Sequence, residues 1–208
     1  MPAAQEELLN LYDAQGRVVG AAPRRQAKAS GQAVGAVNAL VAGADGRVLM
    51  QLRPADKENG GLWDKSVGGH VSAGEEWDTT LVREAGEELF DQAGTPAVRL
   101  AATPAEFERL ARELDLSRLV LLRRVALQLN LRDVRRKPAG GHRNVLYHVA
   151  IYLGRTALPL ERFHPQRAEI DELAYRAPAE IDRLLLGGEL APNMACLWLA
   201  QAHNLIQG

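Results

Sequence analysis

The sequence predicts an α/β (α+β) fold in which a mixed β-sheet lies between helices. Three observations predict it. Short β-prone segments separated by turn residues fill the first part of the chain, two longer segments rich in Val, Tyr and Ile lie in the second, and stretches with helical periodicity stand between and after them. A chain of 208 residues, 47% hydrophobic and 25% charged, fits one compact domain with a full core. Residues 1–208 are therefore read as a single domain, with an N-terminal hairpin extension over about 1–30 and C-terminal helices over about 178–206.

Each element has a local reason. Leu8 to Tyr12 and Arg17 to Gly20 flank Asp13-Ala14-Gln15-Gly16, a turn-rich spacer that predicts a hairpin. Ala36 to Val41 and Arg47 to Leu52 repeat the pattern around Ala44-Asp45-Gly46, and Pro54 to Gly61 reads as a loop. A helix is predicted over Trp77 to Phe90, running on toward Gly94, and Val98 to Ala102 follows as a strand. Pro104 to Leu114 repeats Phe107, Leu110, Ala111 and Leu114 at three- and four-residue steps and reads as a helix. Leu119 to Leu131 and Val145 to Leu153 are long strands by composition. The basic, glycine-rich run from Asp133 to Arg143 reads as a soluble turn between them, with phosphate contact as the alternative. Pro178 to Leu186 and Pro192 to Ile206 are helices with proline in the first turn. The last is apolar on most faces, which predicts burial against the body or a second subunit as a homodimer, and the sole cysteine, Cys196, reads as a small core residue there.

Charge and cysteine usage set bounds. Lys+Arg total 25 and Asp+Glu 26, a formal net charge of −1, so no global field draws the chain to a nucleic acid polymer or an anionic membrane. The start, Met1-Pro2-Ala3-Ala4-Gln5-Glu6-Glu7, lacks a basic, apolar secretion signal, and no apolar run reaches the length of a membrane span. One cysteine allows no internal disulfide, which suits a reducing cytoplasm.

The chemistry concentrates between Gly69 and Asp91. With Leu81 at zero and 100° per residue, Glu88 falls at about 340°, Glu84 at about 300° and Glu87 at about 240°. Leu81, Val82, Ala85 and Leu89 span about 0° to 100°, the width of a buried face. Three carboxylates at these spacings repel one another. A hard divalent cation, Mg²⁺ or alternatively Mn²⁺, is the natural compensation.

Gly69-His70-Val71-Ser72-Ala73-Gly74-Glu75, then Arg83-Glu84-Ala85-Gly86-Glu87-Glu88, resembles the Nudix box of hydrolases that cleave diphosphates linked to another group. With Gly, Glu and Arg each near roughly 7% of ordinary sequence, six such positions coincide about once in 10⁷ trials. The match departs at its end, where Phe90 and Asp91 replace a glycine and an aliphatic residue. The resemblance implies the Nudix α/β/α sandwich and metal-dependent hydrolysis of a phosphoanhydride in a small nucleotide-like or other diphosphate metabolite. It implies that Glu84, Glu87 and Glu88 hold the metal with the carbonyl of Gly69 or Gly68 close by. Glu84 doubles as general base, while Arg83 and Glu75 orient the glutamates.

Leu8 to Asp13, Gly16 to Gly20 and Gly61 to His70 are similar to the Nudix branch that includes isopentenyl-diphosphate isomerase. That similarity offers allylic isomerisation as a rival. Gly68 stands where the isomerase has a cysteine, and Lys28 and Val34 stand near where two of its histidines fall, leaving His70. A third reading is a nucleotide-sensing domain without turnover. Arg53, Lys57 and His70 are the candidates for substrate phosphate, His70 having loop packing as its alternative. Trp63 is read as core or as a base-stacking ring, and Glu169, Asp171 and Glu172 as alternative positions for a further acidic group.

Overall fold

The structure, a computed structural model, describes residues 6–206; the outermost parts of the predicted single domain, 1–5 and 207–208, lie outside the described residues. Strands β1 (Leu8–Tyr12) and β2 (Val18–Pro23) form the first hairpin, and a short helix α1 (Arg24–Ala29), not predicted from the sequence, follows. Next come β3 (Ala33–Gly43), β4 (Val48–Leu52), the short β5 (Trp63–Asp64) and β6 (Val67–His70). Helix α2 (Trp77–Phe90), β7 (Val98–Ala101), α3 (Pro104–Glu113), β8 (Val120–Arg136) and β9 (His142–Thr156) lead to β10 (Glu172–Arg176), α4 (Pro178–Leu186) and α5 (Pro192–Ile206).

The ten strands make one mixed, curled sheet with the order β10-β4-β3-β9-β8-β7. Strand β3 is its axis. One edge pairs in parallel with β9 over Val34 to Gly43, and the other is shared along its length by β1, β6 and β4. Alternation along β3 splits the core. Val34, Ala36, Leu40 and Ala42 pack with Ala27 of α1, Ile181 of α4 and Met194, Leu197 and Trp198 of α5. Val37, Ala39 and Val41 pack on the other face with Leu81, Ala85 and Leu89 of α2. The result is the predicted sheet between helices. Among the described residues no helix is long and apolar enough to cross a membrane.

Three expectations need correction. Helix α2 does not run on toward Gly94; it stops at Phe90 because Asp91 takes the left-handed conformation (φ 50°), its N–H bonding Glu87 O, while the N–H of Gln92 reaches Gly86 O. Aspartate tolerates that region, so the missing glycine did not cost the helix its end. The basic run is mostly strand: β8 and β9 pair out to Arg136 and His142, leaving only a short turn. Cys196 is exposed rather than core. With Met194 at zero on the α5 wheel, the buried Leu197, Trp198 and Leu205 lie between about 300° and 40°, whereas Cys196 and Leu199 lie near about 200° and 140°. Leu199 is accordingly 73% exposed, so the helix is buried on one side only.

Candidate active site

Strand β6 and helix α2 build one wall of a cavity of about 270 Å³. Gly69 pairs with Val37 of β3, which fixes it beneath α2. A side chain there would land inside the Glu84 carboxylate, so the glycine leaves room for that carboxylate to lie on the strand. Gly69→Ala is therefore expected to push Glu84 aside and lower turnover at least about tenfold while costing about 1–3 kcal/mol of stability. Steady-state assays with a denaturation curve check this.

All three box glutamates line the cavity. Arg83 organises two of them: its Nη1 lies 3.0 Å from Glu84 Oε1 and 3.0 Å from Glu87 Oε2, while Nε and Nη2 donate to the two oxygens of Glu75 at 2.9 and 3.0 Å. These bonds hold the Glu75 carboxyl below its ordinary range. Thr80 also donates to Glu75, at 2.9 Å. Glu88 accepts from Gln51 Nε2 at 3.0 Å and from the Gly68 N–H at 2.9 Å. Among the described residues no three His, Cys, Asp or Glu side chains are closed as a ready metal cage. The carboxylates are satisfied by Arg83, Gln51 and Gly68 instead.

The donor set nonetheless suits a hard cation. Burial and the charge of Glu88 push Glu84 up to about 8, and burial pushes Glu88 up to about 7. A buried carboxylate raised partly by Glu88 and Glu87 marks a place where positive charge is wanted, and oxygen donors are those Mg²⁺ and Mn²⁺ take.

The other candidates divide. Arg53 lines the cavity but is already engaged, with Nε donating to Glu58 O at 2.7 Å and Nη1 3.1 Å from Asp64. His70 lines it too, half-buried, its Nε2 3.3 Å from the Tyr147 hydroxyl. Burial, Lys28 and Arg24 push this imidazole well below its ordinary value. Lys57 lines a neighbouring depression with Arg136 and His142 and pairs with Glu169 at 2.7 Å. Of the three downstream acids only Glu169 lines the main cavity. Trp63 is core, beneath the Arg176 guanidinium at 4.3 Å.

Sequence reasoning missed Lys65 and Glu58 as cavity residues, carried Arg135 only within the basic run whose alternative was phosphate contact, and treated Lys28 only as a histidine's replacement. Lys65 and its partner Asp64 are buried, and Asp64 also meets Arg53. Burial raises the Asp64 carboxyl, but Lys65, Arg53 and Arg135 more than reverse that and hold it below the ordinary range. The signal was a charged pair set directly after Trp63 and before Ser66-Val67.

A mixed sheet carrying an acidic helix over a glycine strand defines a class of site, and comparison with known proteins says which. The model of the NUDIX domain matches residues 33–195, and the chain belongs to that family. A curated Nudix hydrolase of Streptomyces coelicolor is 39% identical over 88 residues, which is 42% of this chain and 49% of that protein, so the chain spans about half the length of the curated relative it matches. The crystal structure of DR0079 from Deinococcus radiodurans aligns at 21% identity over 92% of this chain and 96% of its own, with a TM-score of 0.62. A bifunctional NMN adenylyltransferase/ADP ribose pyrophosphatase from Francisella tularensis aligns at 15% identity and a TM-score of 0.53, covering 84% of this chain and 42% of its own. These two likenesses concern the fold.

Proposed function

We propose that this chain is a pyrophosphohydrolase that cleaves a phosphoanhydride bond in a small diphosphate-containing metabolite. The observation that carries the reading is Glu84, buried against Gly69, bonded by Arg83 and lining the cavity beside Glu87 and Glu88. In this reading Glu84, Glu87 and Glu88, with the Gly69 carbonyl, would hold Mg²⁺ or Mn²⁺. The bound ion supplies neutralisation of the diphosphate and a more acidic water. Glu84 accepts the proton of the attacking water as the P–O bond to the leaving phosphate breaks, and that phosphate carries away the bonding electron pair. Arg83, braced by Glu75, keeps Glu84 and Glu87 from drifting apart and is available to the developing charge.

Isomerase chemistry is disfavoured by packing as well as by residue type. A side chain at position 68 would meet the far end of Lys65, which Asp64 holds, so a cysteine there would require Lys65 to move. The reading places the enzyme in the cytoplasm, acting on a small molecule rather than a nucleic acid polymer or membrane. A homodimer would use the exposed Leu199 side of α5.

The test is hydrolysis of a panel of diphosphate-linked metabolites with Mg²⁺, read as released phosphate or monophosphate, with isopentenyl diphosphate incubated in parallel. Turnover of at least one anhydride and no dimethylallyl diphosphate are expected. Isomer formation, or an inert panel, would overturn the proposal.

A further inference from the structure

The wall formed by α1 and the β8–β9 hairpin carries more positive charge than its own carboxylates neutralise. Lys28 and Arg135 line the cavity with side chains only 4% and 11% exposed. Lys28 Nζ lies 3.2 Å from Glu58, but that carboxylate is shared with Arg143 at 3.5 Å, and Arg135 bears on it as well. Arg135 has Asp133 beside it and lies over the Tyr147 ring at 5.4 Å. Arg24, at the cavity edge, pairs with Glu7 at 3.0 Å. Arg24, Lys28, Arg135 and Arg143 thus face Glu7, Glu58 and Asp133, four cations against three carboxylates. Lys65 and Arg53 share the single Asp64 next to them, and Lys65 also bears on Glu88.

Arg24 and Arg143 reach solvent, at 49% and 35% exposure, whereas Lys28 and Arg135 are buried facing the cavity and share Glu58 and Asp133, a placement that is costly without an anion in the cavity. Burial holds the Lys28 ammonium down to about 8, so its charge is kept at the expense of hydration. Lys28, Arg24 and Arg135 sit apart from the glutamate wall and bear on His70, whereas Glu84 feels chiefly Glu88, Arg83 and Glu87; Lys65 stands between and bears on both His70 and Glu88. The lining between them is polar, with Asn38, Gln166, Gly68 and Gly69. Such a lining matches phosphate and hydroxyl oxygens.

We infer that Lys28 and Arg135 form an anion subsite in the active-site cavity, and that the substrate is a compact polyanion whose second phosphate is held there while its phosphoanhydride meets the glutamate wall. The inference rests on the proposed hydrolase reading but concerns binding. It assigns substrate recognition to the phosphate-bearing end, with a sugar- or polyol-sized frame between the walls.

Calorimetric titration of the full chain with inorganic tripolyphosphate, in buffer stripped of divalent ions on a chelating resin, tests it without turnover. Wild type is expected to bind. Lys28→Met, which keeps the buried stem, is expected to bind at least about tenfold more weakly, the loss of one charge-assisted contact, and Lys28→Arg to restore most of the affinity. Arg135→Gln, which retains a donor for Asp133, carries the same expectation should the methionine variant fold poorly. Arg109→Ala, an exposed charge on α3, serves as the control for net charge and should bind as wild type does. Adenosine should give no heat. Failure of wild type to bind tripolyphosphate, equal affinity in the Lys28 and Arg135 variants, or adenosine binding as tightly would overturn the inference. None of these outcomes touches the hydrolysis panel, so the two readings fail separately.

Discussion

Glu84→Gln is expected to lower turnover at saturating substrate by about 10²–10⁴-fold, the range for removal of a general base. Glutamine keeps the length and planarity of the side chain, so the packing over Gly69 survives and the Arg83 contact becomes a neutral hydrogen bond. The protein should also remain folded, and the sign of its stability change is informative. Glu84 is pushed up to about 8 from an ordinary 4.5, so in divalent-free buffer it contributes fully below pH 4.5 and costs progressively more as pH rises toward 8. Glutamine removes that cost, and the variant should be at least as stable as wild type across this window. Kinetics with Mg²⁺ and denaturation without it check the two halves. Unchanged turnover would remove Glu84 from the mechanism; lost activity with lost stability would mean that it serves the fold.

Asp64→Ala is expected to destabilise the protein by about 3–5 kcal/mol, because it leaves a buried ammonium without its partner. Asp64 is 1% exposed, accepts from Lys65 Nζ at 3.0 Å and from the Lys65 N–H at 2.9 Å, and lies 3.1 Å from Arg53. Its folded carboxyl titrates below the ordinary 3.8, so the stability it confers is present above that value and is lost as pH falls through the lowered one. The variant should have a shallower acid limb as well as a lower plateau. Glu113→Ala, which breaks an exposed ion pair on α3, should cost no more than about 0.5 kcal/mol. A loss under about 1 kcal/mol at Asp64 would show that water or the Glu88 carboxylate relieves Lys65 after all. Activity should fall with stability here, since Lys65 and Arg53 both line the cavity.

The acidic helix was legible because its information is local. Leu81, Ala85 and Leu89 set the buried face, the three glutamates set the stripe, and both follow from residues within one helix. The two hairpins followed from turn chemistry and alternation in the same way, and the α/β/α layering from the order of strands and helices together with the Nudix resemblance. Of the basic wall only the run holding Arg135 was singled out, with phosphate contact as its alternative; its meeting with Lys28 and Glu58 was not legible, since they come from α1, the loop after β4 and the far end of β8, and only the sheet brings them together. Asp91 misled for a different reason: the helix end was expected at a glycine, whereas aspartate also tolerates the left-handed region, and the fold-back depends on Gly86, where a Cβ would strike the Gln92 carbonyl. Cys196 was misplaced because an apolar neighbourhood in sequence says little about which side of α5 meets the core.

Strand β3 spends one edge on β9 and divides the other among β1, β6 and β4. The glutamate helix stands over β6, and Arg135 extends from the hairpin that ends in β9, so the spacing between the oppositely charged walls is set by main-chain ladders meeting on a single strand. Separating those walls means tearing the middle of the sheet, which ties the aperture of the cavity to global cooperativity. With the anion subsite inferred above, ligand selection in this architecture would work as a fixed gauge, admitting molecules by the span between their charges.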